Sequence, residues 1–346
     1  EIKNSNYEIY KLRQNQKIHG LIPSIKKQIN EIFLKTNPNI IFLTGWFENS
    51  HHFIIYKSYF KKIPLIILSD SRYNDHRRFF YKEFIKRLLL KNFSSALVAG
   101  KESSDYLLNL NFKKKDIFKP FDVVDNNYFL KNRNKKQIFY SNYFLCISRF
   151  IKKKNLINLI KAFEIYKKRK GNLNLLIIGA GPEEFKIKQI RNKSEFADSI
   201  FIESWKETNL LPEYYKKAKA TVLASLYDQW GLVINESMAS GTPCIVSKNC
   251  GCYLDLIEEG LTGWGFDPNN IKELANLFFK VESLNQKELD KMKKNVISKI
   301  NQYGLDSFAD AVNKSIKNAI INKRFSYISS IFSYILFILR NKRFCK

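Results

Sequence analysis

Five short apolar runs in the second half of the chain, at 144–148, 173–179, 200–202, 220–224 and 244–246, are separated by segments of helical spacing that begin near Asn155, Glu183, Leu211, Leu232 and Tyr253. Such runs are buried on both faces when they lie side by side as parallel strands under helices, so the repeat commits the chain to an α/β architecture. The first half carries a sparser version, with runs at 40–44, 65–69 and 96–99 and helices near 77–91 and 102–109. Between the halves, Lys131-Asn132-Arg133-Asn134-Lys135-Lys136-Gln137 is polar, charged and without apolar periodicity, and reads as a linker. A chain of 346 residues, 45% hydrophobic, can bury two cores. The expected organisation is a first domain at 1–135, a second at 140–302, and a C-terminal helix with a basic, apolar tail at 303–346.

The segment 224–241, ASLYDQWGLVINESMASG, carries the chemistry. The run at 220–224 predicts a buried strand and Leu232 opens a helix, which leaves Asp228-Gln229-Trp230-Gly231 as the turn between them. The first amides of a helix have no partner within it, the helix dipole favours negative charge there, and Gly231 lets a phosphorylated ligand come close to the backbone. Glu236 lies in the second turn of that helix. Two carboxylates at different depths of one pocket suit the hydroxyls of two separate rings, such as a ribose and a hexose. For the spacing alone, a pair of ordinary surface carboxylates is the alternative.

The balance of 59 Lys and Arg against 32 Asp and Glu gives a net charge of +27, which would hold the protein near a polyanion such as nucleic acid, an anionic membrane or an acidic glycan. A compositional bias toward lysine, asparagine and isoleucine explains the same number. The five cysteines, Cys146, Cys244, Cys250, Cys252 and Cys345, are odd in number and predict reduced thiols in the cytoplasm. No metal site is expected: Cys250 and Cys252 are one residue apart, no second pair follows, and His19, His51, His52 and His76 are remote in sequence.

Asp228-x7-Glu236, continued by Ser237-Met238-Ala239-Ser240-Gly241-Thr242-Pro243-Cys244-Ile245-Val246, resembles the Glu-x7-Glu signature of the retaining GT-B glycosyltransferases of family four, with Asp in place of the first Glu. Ser148-Arg149-Phe150-Ile151-Lys152-Lys153-Lys154-Asn155 is similar to that family's Gly-Arg-Leu-x3-Lys-Gly stretch, and Ile178-Gly179-Ala180-Gly181-Pro182 to its Val-Gly-x-Gly-Pro turn. The resemblance implies two Rossmann-like domains with a donor cleft between them. It also implies retaining transfer of a hexose from a nucleotide diphosphate sugar to a glycan or lipid-linked acceptor, in cell-envelope polysaccharide or glycolipid synthesis, without cofactor or metal. Arg149 and Lys154 would hold the diphosphate, Asp228 the sugar hydroxyls and Glu236 the ribose. Gly179, Gly181, Gln229, Trp230, Gly231 and Leu232 would line the donor site. Lys152 and Lys153 read as a solvated basic loop, and Trp205 as a base-stacking or a structural residue. The turn Gly260-Leu261-Thr262-Gly263-Trp264-Gly265-Phe266-Asp267-Pro268 reads as structural, and Cys250-Gly251-Cys252 as a small-residue turn at the pocket wall.

In the first half, Asp70 is the candidate that faces the transferred sugar or the acceptor, with Asp75 and Arg78 behind it; a helix cap is its competing role. His76 reads as a surface residue. Nothing before Gly45 resembles the family's opening strand, Gly-rich turn and helix, so the expectation is a fragment or a reduced first domain. The stretch 325–339 is apolar, aromatic or Ser between basic ends, too short for a confident membrane span. It suits either the headgroup region of a membrane, which would place the protein at the inner face of the cytoplasmic membrane, or docking on the first domain. Two other classes are a non-catalytic GT-B protein that binds nucleotide sugars, and a basic nucleic-acid-binding protein, which would leave the Asp228–Val246 signature without a role.

Overall fold

A computed structural model of the chain describes residues 8–10, 12, 21–46, 48–131 and 140–342. Most of the linker run, 132–137, and likewise His19 and Cys345, lie outside the described residues. The first sheet has four strands in the order β1 (Ile41–Thr44), β2 (Leu65–Ser69), β3 (Phe93–Val98) and β4 (Ile117–Phe118), all parallel. The second contains β5 (Tyr143–Ile147), β6 (Asn174–Ile178), β7 (Ile200–Glu203), β8 (Ala218–Leu223), β9 (Cys244–Ser247) and β10 (Gly263–Phe266). Its order is β10-β9-β8-β5-β6-β7, again all parallel. The molecule is therefore an α/β protein with two parallel sheets, as the alternation of apolar runs and helices implies.

Burial explains why the second half was so legible. Along β5, Phe144 and Cys146 enter one core beneath the Leu156–Lys168 and Ile271–Glu282 helices, and Tyr143, Leu145 and Ile147 enter another beneath Leu232–Ala239 and Gln286–Ile300. A strand covered on both faces has no polar alternation to show, so it reads as a continuous apolar run. From β5 the chain builds outward through β6 and β7, then returns to the other side of β5 with β8. The order reverses between β5 and β8, and in open parallel sheets the loops at such a switch point form the ligand crevice.

Four elements stand out against expectation. Strand β3 begins at Phe93 rather than at Ala96, because Ser94 and Ser95 interrupt the apolar run. Both are fully buried and satisfied from far away in sequence: Arg324 N–H donates to Ser94 Oγ at 3.0 Å and Asn318 Nδ2 to Ser95 Oγ at 2.9 Å. Residues 263–266 form edge strand β10 on β9, within what reads from sequence as a turn. The helices Leu21–Thr36 and Asn49–Lys61 were not anticipated.

The C-terminal segment returns to the first sheet. Helix Leu305–Ile321 lies against β3, and Arg324 pairs with the buried Asp116 next to β4. Helix Tyr327–Lys342 then docks on Asn49–Lys61, with Tyr56 stacked on Tyr334 at 4.5 Å and Phe53 on Phe337 at 5.3 Å. Of the two roles open to this tail, docking is the one observed, and Phe337 is fully buried. No helix among the described residues is long and apolar enough to cross a membrane.

Candidate active site

Four loops at the carboxyl ends of β5, β6, β8 and β9 meet at the switch point, and each is shaped by its neighbour. A side chain at Gly179 would lie 1.8 Å from the Ser148 carbonyl oxygen and one at Gly181 2.6 Å from that of Phe150, so these two glycines let the loops after β5 and β6 touch. Their part in the site is thus to position 148–150. The loop after β9 clasps the turn after β8. Asp228 N–H donates to Asn249 O at 3.3 Å and Gly251 N–H to Asp228 O at 2.9 Å. Cys250 and Cys252 are free and buried, and burial pushes the Cys250 thiol up to about 12, which makes it inert.

Asp228 sits at the centre, 8% exposed. Lys154 donates to its Oδ2, Lys153 to its Oδ1 at 3.3 Å, and Ser225 Oγ lies 3.4 Å from Oδ2. Burial pushes the carboxyl up, but the two ammonium groups outweigh it and hold Asp228 below the usual carboxylate range. Lys153 is thereby drawn into the site rather than left on a solvated loop. It also donates to Gln229 Oε1 at 3.2 Å, and its Nζ lies 5.5 Å from the Tyr227 ring centroid. Lys152 is exposed, as expected. Arg149 is exposed at the same loop. Helix Leu232–Ala239 starts at Gly231, and the amides of Gly231 and Leu232 find no backbone acceptor among the described residues. Deeper in the helix, Glu236 accepts from Tyr215 Oη at 2.6 Å, and burial raises its carboxyl above the ordinary value despite that bond.

Two tryptophans fall on opposite sides of expectation. Trp205 is 58% exposed, free to stack on a ligand and not a core residue. Trp230 is 3% exposed: its Nε1 donates to Asn235 Oδ1 at 2.9 Å and its ring lies 5.9 Å from that of Tyr303, so its side chain belongs to the seam between the sheets and not to the cleft.

From the first sheet, Asp70 projects at the end of β2 toward this cluster. The following helix, Phe80–Leu90, is preceded by Phe79 as its cap residue, which removes capping as a role for Asp70. Burial pushes its carboxyl up, and the carboxylates of Asp75 and Asp228 add to this against its own N–H and Lys153. Behind it, Asp75 is bound by Arg72 Nε at 2.9 Å, and Arg78 braces Tyr73 O and Tyr106 Oη. His76 is exposed, with its ring 6.2 Å from Tyr227 across the cleft.

Three residues escaped the sequence reading. Arg72 Nη2 donates at 2.8 Å to Asn249 O, the carbonyl that also receives Asp228 N–H, so the first sheet grips the loop that holds Asp228. Asp255, 6% exposed, accepts from Lys101 N–H at 2.7 Å, Lys119 Nζ at 2.8 Å and Tyr303 Oη at 2.8 Å, and so caps a first-domain helix from the second. Asp122 lies in the crossover between the domains, where Asn235 Nδ2 donates to its carbonyl at 3.3 Å.

Burial, with the Asp70 carboxylate nearby, pushes the Asp122 carboxyl up to about 7. An ordinary aspartate titrates near 4 when unfolded, so between about pH 4 and 7 the folded state holds the extra proton, and stability falls as pH rises through that window. Asp122→Asn removes the effect. Denaturant unfolding should show the variant gaining on the order of 1–3 kcal/mol relative to the parent at pH 8 compared with pH 5; an equal difference at both pH values would refute the burial of an ionised Asp122.

With this geometry in place, the similarities to known proteins are consistent. The glycosyl transferases group 1 family matches residues 129–299, a span that holds Arg149, Lys154, Asp228 and Glu236. Residues 129–299 belong to that family. The chain is 26% identical over 183 residues to the poly(glycerol-phosphate) alpha-glucosyltransferase of Bacillus subtilis, and 25% identical over 238 residues to the O-antigen chain mannosyltransferase RfbU of Salmonella typhimurium. These matches cover 52% and 64% of this chain, and the chain spans 27% and 63% of the length of those relatives. The crystal structure of Anabaena HepE in complex with UDP superposes with a TM-score of 0.72 at 15% identity, covering 85% of this chain and 82% of that one. That likeness extends the shared fold beyond the group 1 region to both sheets.

Proposed function

We propose that this group 1 glycosyltransferase moves a hexose from a nucleotide diphosphate sugar, with retention at the anomeric carbon, to a glycan or lipid-linked acceptor of the cell envelope. The reading is carried by one observation: Lys154 and Lys153 pair with a buried carboxylate, Asp228, at the switch point of the sheet, in the turn that leads to the open amides of Gly231 and Leu232. A leaving diphosphate needs positive charge held close to it, and this cluster holds two ammonium groups beside the switch point, one of which turns from Asp228 to the diphosphate when the donor binds. Lys154 and exposed Arg149 would take the diphosphate, a point charge and a planar fork together. Asp228, released in part from Lys154, would accept from the sugar hydroxyls, Glu236 with Tyr215 would hold the ribose, and exposed Trp205 would stack on the base. Asp70 would approach the transferred sugar or acceptor from the first sheet. The relatives named for glycerol-phosphate polymer and O-antigen synthesis support the acceptor class.

Transfer is expected to need no divalent metal, because lysine and amide charge stand where a cation would otherwise act. A panel of nucleotide sugars read by thermal shift, followed by product analysis with chelator present, tests both points. One donor should stabilise the protein and yield product of unchanged anomeric configuration. Activity abolished by chelator and restored by magnesium or manganese would overturn the metal-free reading, and stabilisation without product would favour a non-catalytic binding protein.

A further inference from the structure

Helix Phe80–Leu90 presents an aromatic face that nothing among the described residues covers: Phe80 is 88% and Phe84 63% exposed, with Phe79 and Tyr81 exposed beside them. Cations are interleaved with these rings. Arg77 and Lys82 lie over Phe79 at 5.6 and 4.9 Å, and Arg87 and Lys91 are exposed further along the helix. Between residues 73 and 91 the acidic residues are Asp75 and Glu83, and both turn inward. Asp75 is bound by Arg72, and Glu83 by Lys86 at 2.8 Å and Tyr106 Oη at 2.7 Å. The outward face is thus apolar and positive with no carboxylate. Next to its far end, Asn92 Oδ1 accepts from Ser326 N–H at 2.8 Å and its Nδ2 donates to Ser329 Oγ at 2.8 Å, which places the exposed Tyr327 and Ile328 of the C-terminal helix against the same edge.

We propose that this face of the first domain docks on an anionic lipid surface, with Phe80 and Phe84 inserted at headgroup level and Arg77, Lys82, Arg87 and Lys91 paired with lipid phosphates. Charge complementarity selects the partner. Rings with cations and no acid suit a bilayer that offers both phosphate and hydrocarbon, and the chain's +27 charge adds long-range attraction. The membrane element is then the Phe80–Leu90 helix, while the tail at 325–339 spends one face on the core. The face also adjoins the cleft, since His76 at its near end meets Tyr227 one residue before Asp228. A lipid-held acceptor would enter from that side, a consequence that rests on the transfer reading; the docking itself does not.

The test is cosedimentation of the full chain with vesicles of phosphatidylcholine and phosphatidylglycerol at 70:30, with pure phosphatidylcholine as control. The parent should bind the mixed vesicles at least tenfold more tightly than the neutral ones and release as salt rises. A Phe80→Ser, Phe84→Ser variant should lose at least tenfold in partitioning, and Lys82→Glu, Arg87→Glu should lose the preference for anionic lipid. All these side chains are exposed, so each variant should keep the parent's melting temperature. Equal binding by the folded variants, equal binding to neutral vesicles, or no binding by the parent overturns the proposal. So does a dimer in solution that the same substitutions dissociate, which would assign the face to a second copy of the chain. Vesicle binding requires no sugar transfer, so it succeeds or fails independently of the proposed activity.

Discussion

Lys154→Met is expected to lower kcat/KM for sugar transfer by about a thousandfold while the protein stays folded. Removing one preorganised donor aimed at developing negative charge costs about 3–4 kcal/mol of transition-state stabilisation in comparable sites, and here the donor is a full charge. A second effect accompanies the first. Lys154 is the nearer of two cations that hold down the carboxyl of Asp228, a group whose burial pushes the other way. With Lys154 gone, one ammonium at 3.3 Å remains and the carboxyl rises. The acid limb of the pH profile should therefore move to higher pH in the residual activity. Lys153→Met should do less on both counts, because Lys153 divides its proton donors between Asp228 and Gln229. Initial rates for both variants between pH 5 and 9 decide the matter. Transfer by Lys154→Met within threefold of the parent would remove the lysine from the diphosphate site.

That experiment probes a region the chain announces plainly. The corner from β8 to the Leu232–Ala239 helix is legible because its constraints are local: a doubly buried strand, a turn, a helix start, and small residues that let them pack. β2 is legible because it too is a run of four apolar residues, closed by Ser69. Elsewhere the stabilising partner is remote. Asn49–Lys61 has a weak apolar stripe of its own and is buried by a helix nearly 300 residues later, so no local period reports it. Ser94 and Ser95 look like a break in a strand because the side chains that satisfy them sit on the C-terminal segment. Lys153 differs from Lys152 only in where one turn of 3-10 helix points it. Trp230 and Trp205 differ in that one is buried against Tyr303 and the other is exposed after edge strand β7, and neither environment is written in the local sequence. Arg72 and Asp255 were invisible for the same reason, since each acts on a partner in the other domain.

Asp255 carries the second large prediction. Its side chain is 2% exposed and receives a backbone amide, a tyrosine hydroxyl and a lysine ammonium from three segments. The lysine is 45% exposed, so that ion pair contributes little; the other two bonds are buried and made to an ionised acceptor. Asp255→Ala leaves Lys101 N–H and Tyr303 Oη without their acceptor in a closed seam. The loss should be about 3 kcal/mol in denaturant unfolding. Asp255→Asn should lose less, since its carbonyl can still accept from Tyr303, while its amide would oppose Lys101 N–H.

The functional consequence separates the domains. Arg149, Lys154, Asp228 and Glu236 all sit on the second sheet, whereas Asp70 arrives across the seam that Asp255 and Arg72 hold shut. Donor-induced thermal stabilisation should therefore persist in Asp255→Ala, and kcat should fall at least tenfold as the first domain loses its fixed approach and water enters. Hydrogen exchange at the start of helix Lys101–Asn109 should speed up in the same variant. A stable Asp255→Ala protein with parental kcat would show that the seam is held by other contacts and that Asp70 does not depend on it.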